Sequence, residues 1–328
     1  MTTPSWQVGI VGCGRIAGLK DRPRNTGPIA THAQAYHRHP DFRLAAVFSH
    51  PMEEAHRFGE IWGVPRVCPS LAAMLAAGNL DVVSICSPNE FHFSQAREIL
   101  KSPGRVKALL IEKPVCLSAA ELNRLMESSR QTGVAVAVNH TRRFDAAHRQ
   151  AAHLLRSGKL GSFLKGRAVY YGGWHNNGVH LLDTIRMLLP EEPEVVAAAT
   201  VGSGKPGDDD LEVELVVGRG PISVEAFDES YYQLFEIEFL CQKGRLRVLD
   251  FGSQIHVEQV EVNDLGEREL KPQPHSPWQG LVSPFYAAVE ALGAQLRGQS
   301  VFSELGVDLS AALGTMNLIW QASKMAAG

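Results

Sequence analysis

The chain contains 328 residues with a formal net charge of −3, and 45% of them are hydrophobic against 20% charged. A chain of this length exceeds one ordinary hydrophobic core and predicts two globular domains. Acidic and basic residues are interspersed, and no basic run could follow a phosphate backbone, so nucleic acid is not an expected partner. No apolar run approaches the roughly 18 residues of a membrane-spanning helix, and the N-terminus lacks a signal-peptide pattern. We therefore expect no membrane partner and a cytoplasmic location.

The first part of the chain repeats short β-branched runs, turns and amphipathic stretches, which is typical of βαβ units. Runs that are apolar throughout, such as VVSIC and VAVAV, indicate a parallel sheet covered on both faces by helices. We predict a doubly wound Rossmann domain over residues 1–145. Its predicted strands are 7–11, 43–49, 82–86, 106–111 and 134–138, and its predicted helices are 31–38, 52–58, 71–77, 91–100 and 119–132.

After residue 145 the pattern changes to helices at 146–157 and up to 189, followed by alternating strands such as LEVELVV, PISVEAF, YYQLFEIEFL and GRLRVLD. Alternation predicts an open, mostly antiparallel sheet with one buried face, flanked by helices. Residues 146–328 are therefore predicted to form a substrate and oligomerisation domain. Closing helices are expected at 284–297 and 309–325, and they can pack back on the first domain. An apolar open face would favour a homodimer or homotetramer.

Five cysteines are scattered without the spacing of a zinc site or a redox pair. Most of them lie in apolar segments, which favours buried, reduced thiols. No metal site is predicted. The cysteines are Cys13, Cys68, Cys86, Cys116 and Cys241.

The stretch VGIVGCGRIA places a G-x-G-x-x-A pattern directly after the first predicted strand. Gly12 suits a tight turn, Gly14 lets the backbone approach a pyrophosphate, and Ala17 allows close helix packing. The pattern predicts a dinucleotide site that also includes Arg15 and Ile16. A glycine-rich turn without a ligand is the alternative.

The end of the second strand carries Ser49, where the fingerprint of NAD enzymes has an acidic residue for the adenosine ribose. A serine can bond a 2′-hydroxyl or a 2′-phosphate. We therefore expect NAD or NADP as the cofactor and leave the choice between them open.

The stretch ICSPNEFH follows another buried strand, at the carboxyl edge where such sheets bind ligands. Ser87, Pro88, Asn89 and His92 are predicted to line the nicotinamide ribose. In the alternative, Ser87 or Asn89 caps the next helix and His92 is a surface histidine.

At the same edge, LLIEKPV places Glu112 and Lys113 before Pro114. Partial desolvation of a lysine at this position suits it to hydrogen-bond, or donate a proton to, a carbonyl or alkoxide oxygen. Glu112 and Lys113 are also predicted to contact the cofactor. A cis peptide before Pro114 is possible, although trans is the more common form.

The stretch GGWHNNGVHLLD at 172–183 can be a metal site, a helix cap or part of an active site. His175 and His180 are five residues apart, which disfavours a shared helical metal site. Asn176 or Asn177 can cap the following helix. Several nearby side chains are predicted to bind substrate, each with a structural alternative such as a salt bridge, core packing or helix anchoring. They are Arg143, Tyr171, Trp174, His175, Asn176 and Asp183.

The glycine pattern, SPNEFH, EKP, NHTRRF at 139–144 and the 172–183 stretch occur in the order and spacing of the Gfo/Idh/MocA oxidoreductase family. The chain resembles this family over essentially its whole length. The resemblance implies NAD(P)-dependent oxidation or reduction of sugars, polyols and related compounds. It also implies that Lys113 is the catalytic lysine and that His180 is the main proton-transfer group.

Asn176 departs from the family pattern, in which many members carry an aspartate four residues before the histidine. An asparagine can orient His180 but cannot stabilise an imidazolium by charge. The stretch also resembles a subgroup linked to surface polysaccharide biosynthesis. The same subgroup resembles this chain in the extended segment GLKDRPRNTGPIATHAQAY, which can be a lid, an inter-subunit contact or a plain loop.

The resulting expectation is an oxidoreductase that transfers a hydride between nicotinamide and a carbinol carbon of a sugar or nucleotide-sugar. His180 would move the hydroxyl proton, and Lys113 would hold the oxygen. Two alternatives stay open. One is a glycosidase of the same family that retains its NAD, and the other is a catalytically weak ligand sensor.

Overall fold

The computed structural model describes residues 5–102, 106–205 and 207–328. The chain divides into two compact units. Unit 1 comprises Met1–Phe144 and Ser283–Leu313, and unit 2 comprises Asp145–Val282 and Gly314–Gly328. The assignment of cofactor binding to one domain and substrate binding to the other stays a prediction.

A six-stranded parallel sheet forms the centre of unit 1, in the order β3-β2-β1-β4-β5-β6. The predicted strands and helices are confirmed with small shifts at their ends, whereas the two-residue strand β3 was not predicted. The elements are β1 Trp6–Val11, α1 His32–Arg38, β2 Phe42–Phe48, α2 Met52–Trp62, β3 Arg66–Val67, α3 Leu71–Ala76, β4 Val82–Ile85, α4 Asn89–Lys101, β5 Ala108–Ile111, α5 Ala119–Thr132, β6 Ala135–Val138 and α6 Thr141–Phe144.

Local sequence signals explain where these elements begin. Every residue of β4 and β5 is buried, as the apolar runs predict for a sheet covered on both faces. Thr31, Ser70 and Ser118 accept hydrogen bonds from backbone N–H groups in the first turns of α1, α3 and α5. Because the strands are parallel, the turns that follow β1, β4, β5 and β6 lie at one edge of the sheet.

Unit 2 contains a nine-stranded, mostly antiparallel sheet in the order β14-β13-β12-β11-β7-β10-β9-β8, with β15 paired to β13. The pair β7 and β10 is parallel. The elements are α7 Ala146–Arg156, β7 Phe163–Tyr171, a one-turn π-helix Trp174–Gly178, α8 Val179–Leu188, β8 Glu194–Lys205, β9 Asp208–Val217, β10 Gly220–Phe227, β11 Glu236–Cys241, β12 Gly244–Leu249, β13 Gln254–Val262, β14 Arg268–Pro272 and β15 Trp278–Gln279.

The outward face of this sheet is not the extended apolar surface that was expected. Side chains alternate as predicted, but the outward positions of the central strands carry charges that pair across strands. Arg167 binds Glu225 through two hydrogen bonds of 2.7 and 2.6 Å, and Arg245 binds Glu258 and Glu238 at 2.5 and 3.2 Å. The alternation fixes which residues point outward, but it does not make them apolar.

The predicted strand YYQLFEIEFL begins only at Glu236. Phe235 is 3% exposed and starts the buried alternation, whereas Tyr231 and Tyr232 lie in a loop with 77% and 61% exposure. The residues before Phe235 have no row of buried side chains, so burial of apolar surface would not stabilise them as part of the strand.

Three helices close the chain: α9 Pro284–Leu296, α10 Val301–Leu305 and α11 Leu309–Ala326. Phe285, Val289 and Leu292 of α9 join the apolar core of unit 1. All five cysteines are buried and form no disulfide. Within the residues that the structure describes, no helix is long and apolar enough to cross a membrane.

Candidate active site

The turn after β1 has the backbone that a dinucleotide site needs. Gly12 has a φ of +83°, and a Cβ atom there would overlap the backbone of Ser87, so only glycine fits. A Cβ atom at Gly14 would meet no heavy atom within 4 Å, which leaves this backbone accessible to a pyrophosphate. The residues of the turn therefore fit the NAD(P) group that the sequence predicts.

A five-residue π-helical turn, Arg15–Leu19, follows the glycines in place of a long regular helix. Arg15 and Ile16 are exposed, whereas Ala17 is fully buried, in agreement with its predicted packing role. Gly18 has a φ of +142°, and its carbonyl accepts a 3.1 Å hydrogen bond from the indole of Trp62. The chain is thereby fixed directly after the turn.

Ser49 supports the glycine turn from the end of β2. Its hydroxyl oxygen accepts a 3.1 Å hydrogen bond from the Cys13 backbone and donates to Glu54 Oε2 at 3.3 Å, and Ser49 is only 3% exposed. The predicted ribose contact of Ser49 stays a prediction. Glu54, from the first turn of α2, is the carboxylate that the sequence pattern did not reveal at this strand end.

His92 is fully buried in α4 and joins two loops at the carboxyl edge. Its Nδ1 lies 2.7 Å from the Pro114 carbonyl oxygen, and its Nε2 lies 2.8 Å from that of Ser87. The alternative of a surface histidine is therefore wrong. Capping by side chains is also wrong, because Pro88 is the N-cap, Asn89 begins the helix, and no side chain caps it. The ribose contacts of these residues stay predictions.

Glu112 lies in a hydrogen-bonded group at the end of β5. His32 Nε2 lies 2.8 Å from its Oε1, and Asn139 donates to the same oxygen at 2.6 Å. Burial alone raises the pKa of this carboxyl, but the hydrogen bonds and the nearby charge of Lys113 outweigh it and hold the pKa below its ordinary value. His32 and Asn139 were not predicted. Asn139 directly follows the apolar run of β6, a signal that could have identified it.

Lys113 is half-buried and immediately follows this ionised carboxylate. The Lys113–Pro114 peptide is cis, which the sequence allowed. Lys113 thus lies at the carboxyl edge of the parallel sheet, the edge to which the glycine turn also belongs.

The extended segment before α1 is tied down within unit 1. The Asp21 carboxylate accepts hydrogen bonds from the Arg22 backbone, the Asn25 amide and the Thr31 hydroxyl at 2.8 to 3.0 Å. This arrangement favours the interpretation of an ordered loop. A lid or an inter-subunit contact stays a prediction.

In unit 2, the turn between β7 and α8 is bound by two aspartates of β9. Asp208 accepts hydrogen bonds from the backbone N–H groups of His175 and Asn176 at 2.8 and 2.9 Å, and Asp210 accepts one from Gly173 at 3.0 Å. The sequence reasoning missed both aspartates. Their only signal is the run DDD at the start of an alternating strand.

The two asparagines of this turn do not cap α8. The Asn176 amide donates backwards to the Gly172 carbonyl at 3.0 Å, and the Asn177 amide donates to the Tyr171 carbonyl at 2.9 Å. Gly178 is the N-cap and has ordinary helical angles. Its role lies in packing, because a Cβ atom there would lie 2.5 Å from the Trp174 ring.

His180 is half-buried in the first turn of α8, next to the π-helical turn. Asp183, 3% exposed, accepts a 3.0 Å hydrogen bond from the Thr315 hydroxyl in α11, which favours its anchoring role. His175 Nε2 lies 3.2 Å from the Ser323 hydroxyl of the same helix.

The remaining predicted substrate residues differ in accessibility. Trp174 is 1% exposed and donates to the Ile319 carbonyl at 3.1 Å, so its packing alternative is favoured. Tyr171 is half-buried, and its ring meets the Phe251 ring edge-on with the two ring centroids 5.5 Å apart. Arg143 is 8% exposed in α6 of unit 1.

Over residues 5–102, 106–205 and 207–328, no group of three or more His, Cys, Asp or Glu side chains could hold a metal ion.

Comparison with known proteins identifies the fold of unit 1. Residues 6–140 match the family model GFO_IDH_MocA, described as an oxidoreductase family with the NAD-binding Rossmann fold. The match confirms the prediction of an oxidoreductase with NAD or NADP as its cofactor.

Curated relatives extend the similarity along the chain. The chain is 29% identical to D-glucoside 3-dehydrogenase of Escherichia coli K12 over 49% of this chain and 42% of that protein. It is 25% identical to 1,5-anhydro-D-fructose reductase of Ensifer adhaerens over 70% of this chain and 76% of that protein.

A solved structure matches the fold of both units. The crystal structure of a 3-ketoreductase from Actinomadura kijaniata in complex with NADP has a TM-score of 0.76 at 20% identity, and the match covers 98% of this chain and 97% of that chain. The parallel and the mostly antiparallel sheets both agree with the predicted fold class. Over residues 6–140 this chain is therefore similar to the Gfo/Idh/MocA family of oxidoreductases.

Proposed function

We propose that the protein transfers a hydride between a nicotinamide dinucleotide and a carbinol carbon of a sugar or nucleotide-sugar. The observation that carries this proposal is the position of Lys113 at the carboxyl edge of the parallel sheet that also bears the glycine turn. An ammonium group at this edge can hold a substrate oxygen beside a dinucleotide bound at Gly12 and Gly14.

The protein's own residues would have separate roles in binding the substrate oxygen and in transferring the proton. The dinucleotide supplies the hydride acceptor or donor. Lys113, which directly follows the ionised Glu112, binds the substrate oxygen and polarises it. His180 takes up the hydroxyl proton during oxidation and returns it during reduction. Asn176 carries no charge, so proton transfer depends on Lys113 and His180.

The substrate class is inferred from the relatives. A glucoside dehydrogenase, an anhydrofructose reductase and a 3-ketoreductase are all named for chemistry at a hydroxyl or carbonyl carbon. Their names support a sugar substrate. The nucleotide-sugar and polysaccharide assignment rests on the sequence resemblance, and the cytoplasmic location stays a prediction.

We also infer that NAD is preferred over NADP. Ser49 alone would accept either cofactor, but its hydroxyl is hydrogen-bonded to Glu54 at the strand end that faces the adenosine ribose in this fold. The Glu54 carboxylate would repel a 2′-phosphate and could bind a 2′-hydroxyl. Glu54 thus supplies the charge that the sequence lacks at Ser49.

We further infer that copies of the chain associate through the outward face of the unit 2 sheet as a dimer or tetramer. The ion pairs Arg167–Glu225 and Arg245–Glu258 balance their charges within this face, so covering it would leave these charges paired. Light scattering should give a multiple of the 35.8 kDa chain mass, and a mass of one chain would contradict the inference.

The variant Lys113→Ala tests the catalytic assignment. Turnover should fall by about 100-fold to 10,000-fold because the substrate oxygen loses its charged partner, while dinucleotide affinity should change little. Lys107→Ala is a matched control, because Lys107 lies before the other end of β5, is 56% exposed and pairs with Asp81. Turnover of Lys113→Ala at the rate of this control would contradict the assignment. Release of free sugar without net nicotinamide reduction would point to the glycosidase.

A further inference from the structure

We infer that Asp208 and Asp210 are positioning residues that hold the backbone of residues 173–176 and thereby place His180. This inference rests on the proposed function, in which His180 transfers a proton. It adds two residues of β9 that the sequence motif around His180 does not contain.

Three backbone N–H groups carry the inference. Asp208 uses both carboxylate oxygens, one for His175 N at 2.8 Å and one for Asn176 N at 2.9 Å. Asp210 Oδ1 accepts from Gly173 N at 3.0 Å. These N–H groups lie at the N-terminal end of a helical segment, where no earlier turn supplies acceptors. Carboxylates bind such groups strongly and also favour the positive end of the helix dipole.

The close approach of the two carboxylates to the backbone of the turn requires glycine at two positions. Gly173 has a φ of +98°, and a Cβ atom there would overlap the Asp208 carboxylate. On strand β8, a Cβ atom at Gly204 would overlap Gly173 N and lie 2.5 Å from Asp210 Oδ1. The turn and the two strands are therefore matched to each other at these positions.

The held turn continues without a break into the helix of His180. The Asn177 and Gly178 N–H groups both bond to the Gly173 carbonyl, and α8 begins at Val179. A movement of the turn would therefore shift the first turn of α8, which contains His180. Misplacement of a catalytic group by about 1 Å can lower a rate by roughly 100-fold.

The surroundings of Asp210 disfavour an ionised carboxylate. It is 8% exposed, and burial together with the charges of Asp208, Glu229 and Asp228 raises its pKa in spite of the Gly173 hydrogen bond. A residue that served only to fill this space would not need to be charged.

The experiment compares Asp208→Asn and Asp210→Asn with Asp209→Asn. Asp209 lies between them in β9, is exposed, and loses the same charge on substitution. Hydrogen exchange measured by mass spectrometry should be at least about 10-fold faster at residues 173–176 in Asp208→Asn than in the control. The kcat of Asp208→Asn should fall by roughly 10-fold to 100-fold. Its NADH affinity should be unchanged, because the glycine turn belongs to unit 1.

A double-mutant cycle separates positioning from a general loss of stability. In the background of His180→Asn, replacing Asp208 should lower kcat no further, because its effect acts through His180. An equal loss of kcat in both backgrounds, or exchange at 173–176 that matches the Asp209→Asn control, would overturn the inference. Wild-type protein that binds dinucleotide but turns over no sugar would count against the proposed function, while the exchange data would still test the aspartates.

Discussion

Single residues decide the electrostatics of the parallel sheet's carboxyl edge. Glu112 is held ionised by His32 and Asn139 at 2.8 and 2.6 Å, and Lys113 follows it in sequence. This carboxylate is a fixed charge of the site, because its hydrogen bonds stabilise the ionised form in the folded protein.

The depressed pKa of Glu112 predicts a loss of stability in acid. Because the folded protein lowers the pKa below its ordinary value of 4.5, ionised Glu112 contributes stability above pH 4.5, and this contribution disappears as the pH falls through the folded pKa. The melting temperature should therefore decline in acid less steeply for Glu112→Gln than for wild type. Identical pH profiles for the two proteins would contradict this account of Glu112.

Glu54 predicts the preference between the two dinucleotides. Fluorescence titration should show tighter binding of NADH than of NADPH to wild type, and Glu54→Gln should reduce this preference by about 10-fold because it removes the repulsion of the 2′-phosphate. Glu53→Gln is the control, since Glu53 is an exposed residue in the same helical turn. A wild-type preference for NADPH would refute the assignment to Glu54.

At the scale of the element, the π-helical turn depends on the packing of Trp174 against Gly178. The indole is 1% exposed and hydrogen-bonded to Ile319, so it cannot move aside for a Cβ atom placed 2.5 Å away. Gly178→Ala should cost about 1–3 kcal/mol of unfolding free energy. Gly202→Ala, where a Cβ atom meets nothing closer than 4.0 Å, should cost much less. Equal melting temperatures for the two variants would contradict this packing argument.

The sequence predicts elements well where the signal is local. Apolar runs identified the buried strands β4 and β5, and the caps Thr31 and Ser118 lie where α1 and α5 were expected to begin. The two-residue β3 was missed because it is too short to show a period. The loop before Glu236 was read as strand because its residue types favour strands, although they bury no face.

Contacts between distant elements of one unit could not be read from the sequence. Asp208 is 32 residues from Asn176 in the chain, and Asn139 is 27 from Glu112; each contact depends on how strands are ordered in a sheet. Capping of α8 by Asn176 or Asn177 was one alternative, but the aspartates of β9 bind the N–H groups of the turn. Motifs in the sequence identified candidate site residues, but they did not reveal the hydrogen-bond partners of those residues.

At the scale of the whole molecule, the two units carry different parts of the proposed chemistry. Unit 1 contains the glycine turn, Glu112 and Lys113, and it matches the NAD-binding family model. Unit 2 contains His180 on a turn fixed by β9. The proposal gives Lys113 and His180 separate roles in turnover, so loss of either group should abolish most of the turnover without abolishing dinucleotide binding.

The most direct measurement is sugar-dependent reduction of the dinucleotide. The protein would be incubated with NAD⁺ or NADP⁺ and a panel of sugars, sugar nucleotides and polyols, while the near-ultraviolet absorbance of reduced nicotinamide and the mass of the sugar product are recorded. We predict reduced nicotinamide in equal amount to a product that has lost two hydrogen atoms. Dinucleotide binding without such a product from any member of the panel would contradict the account.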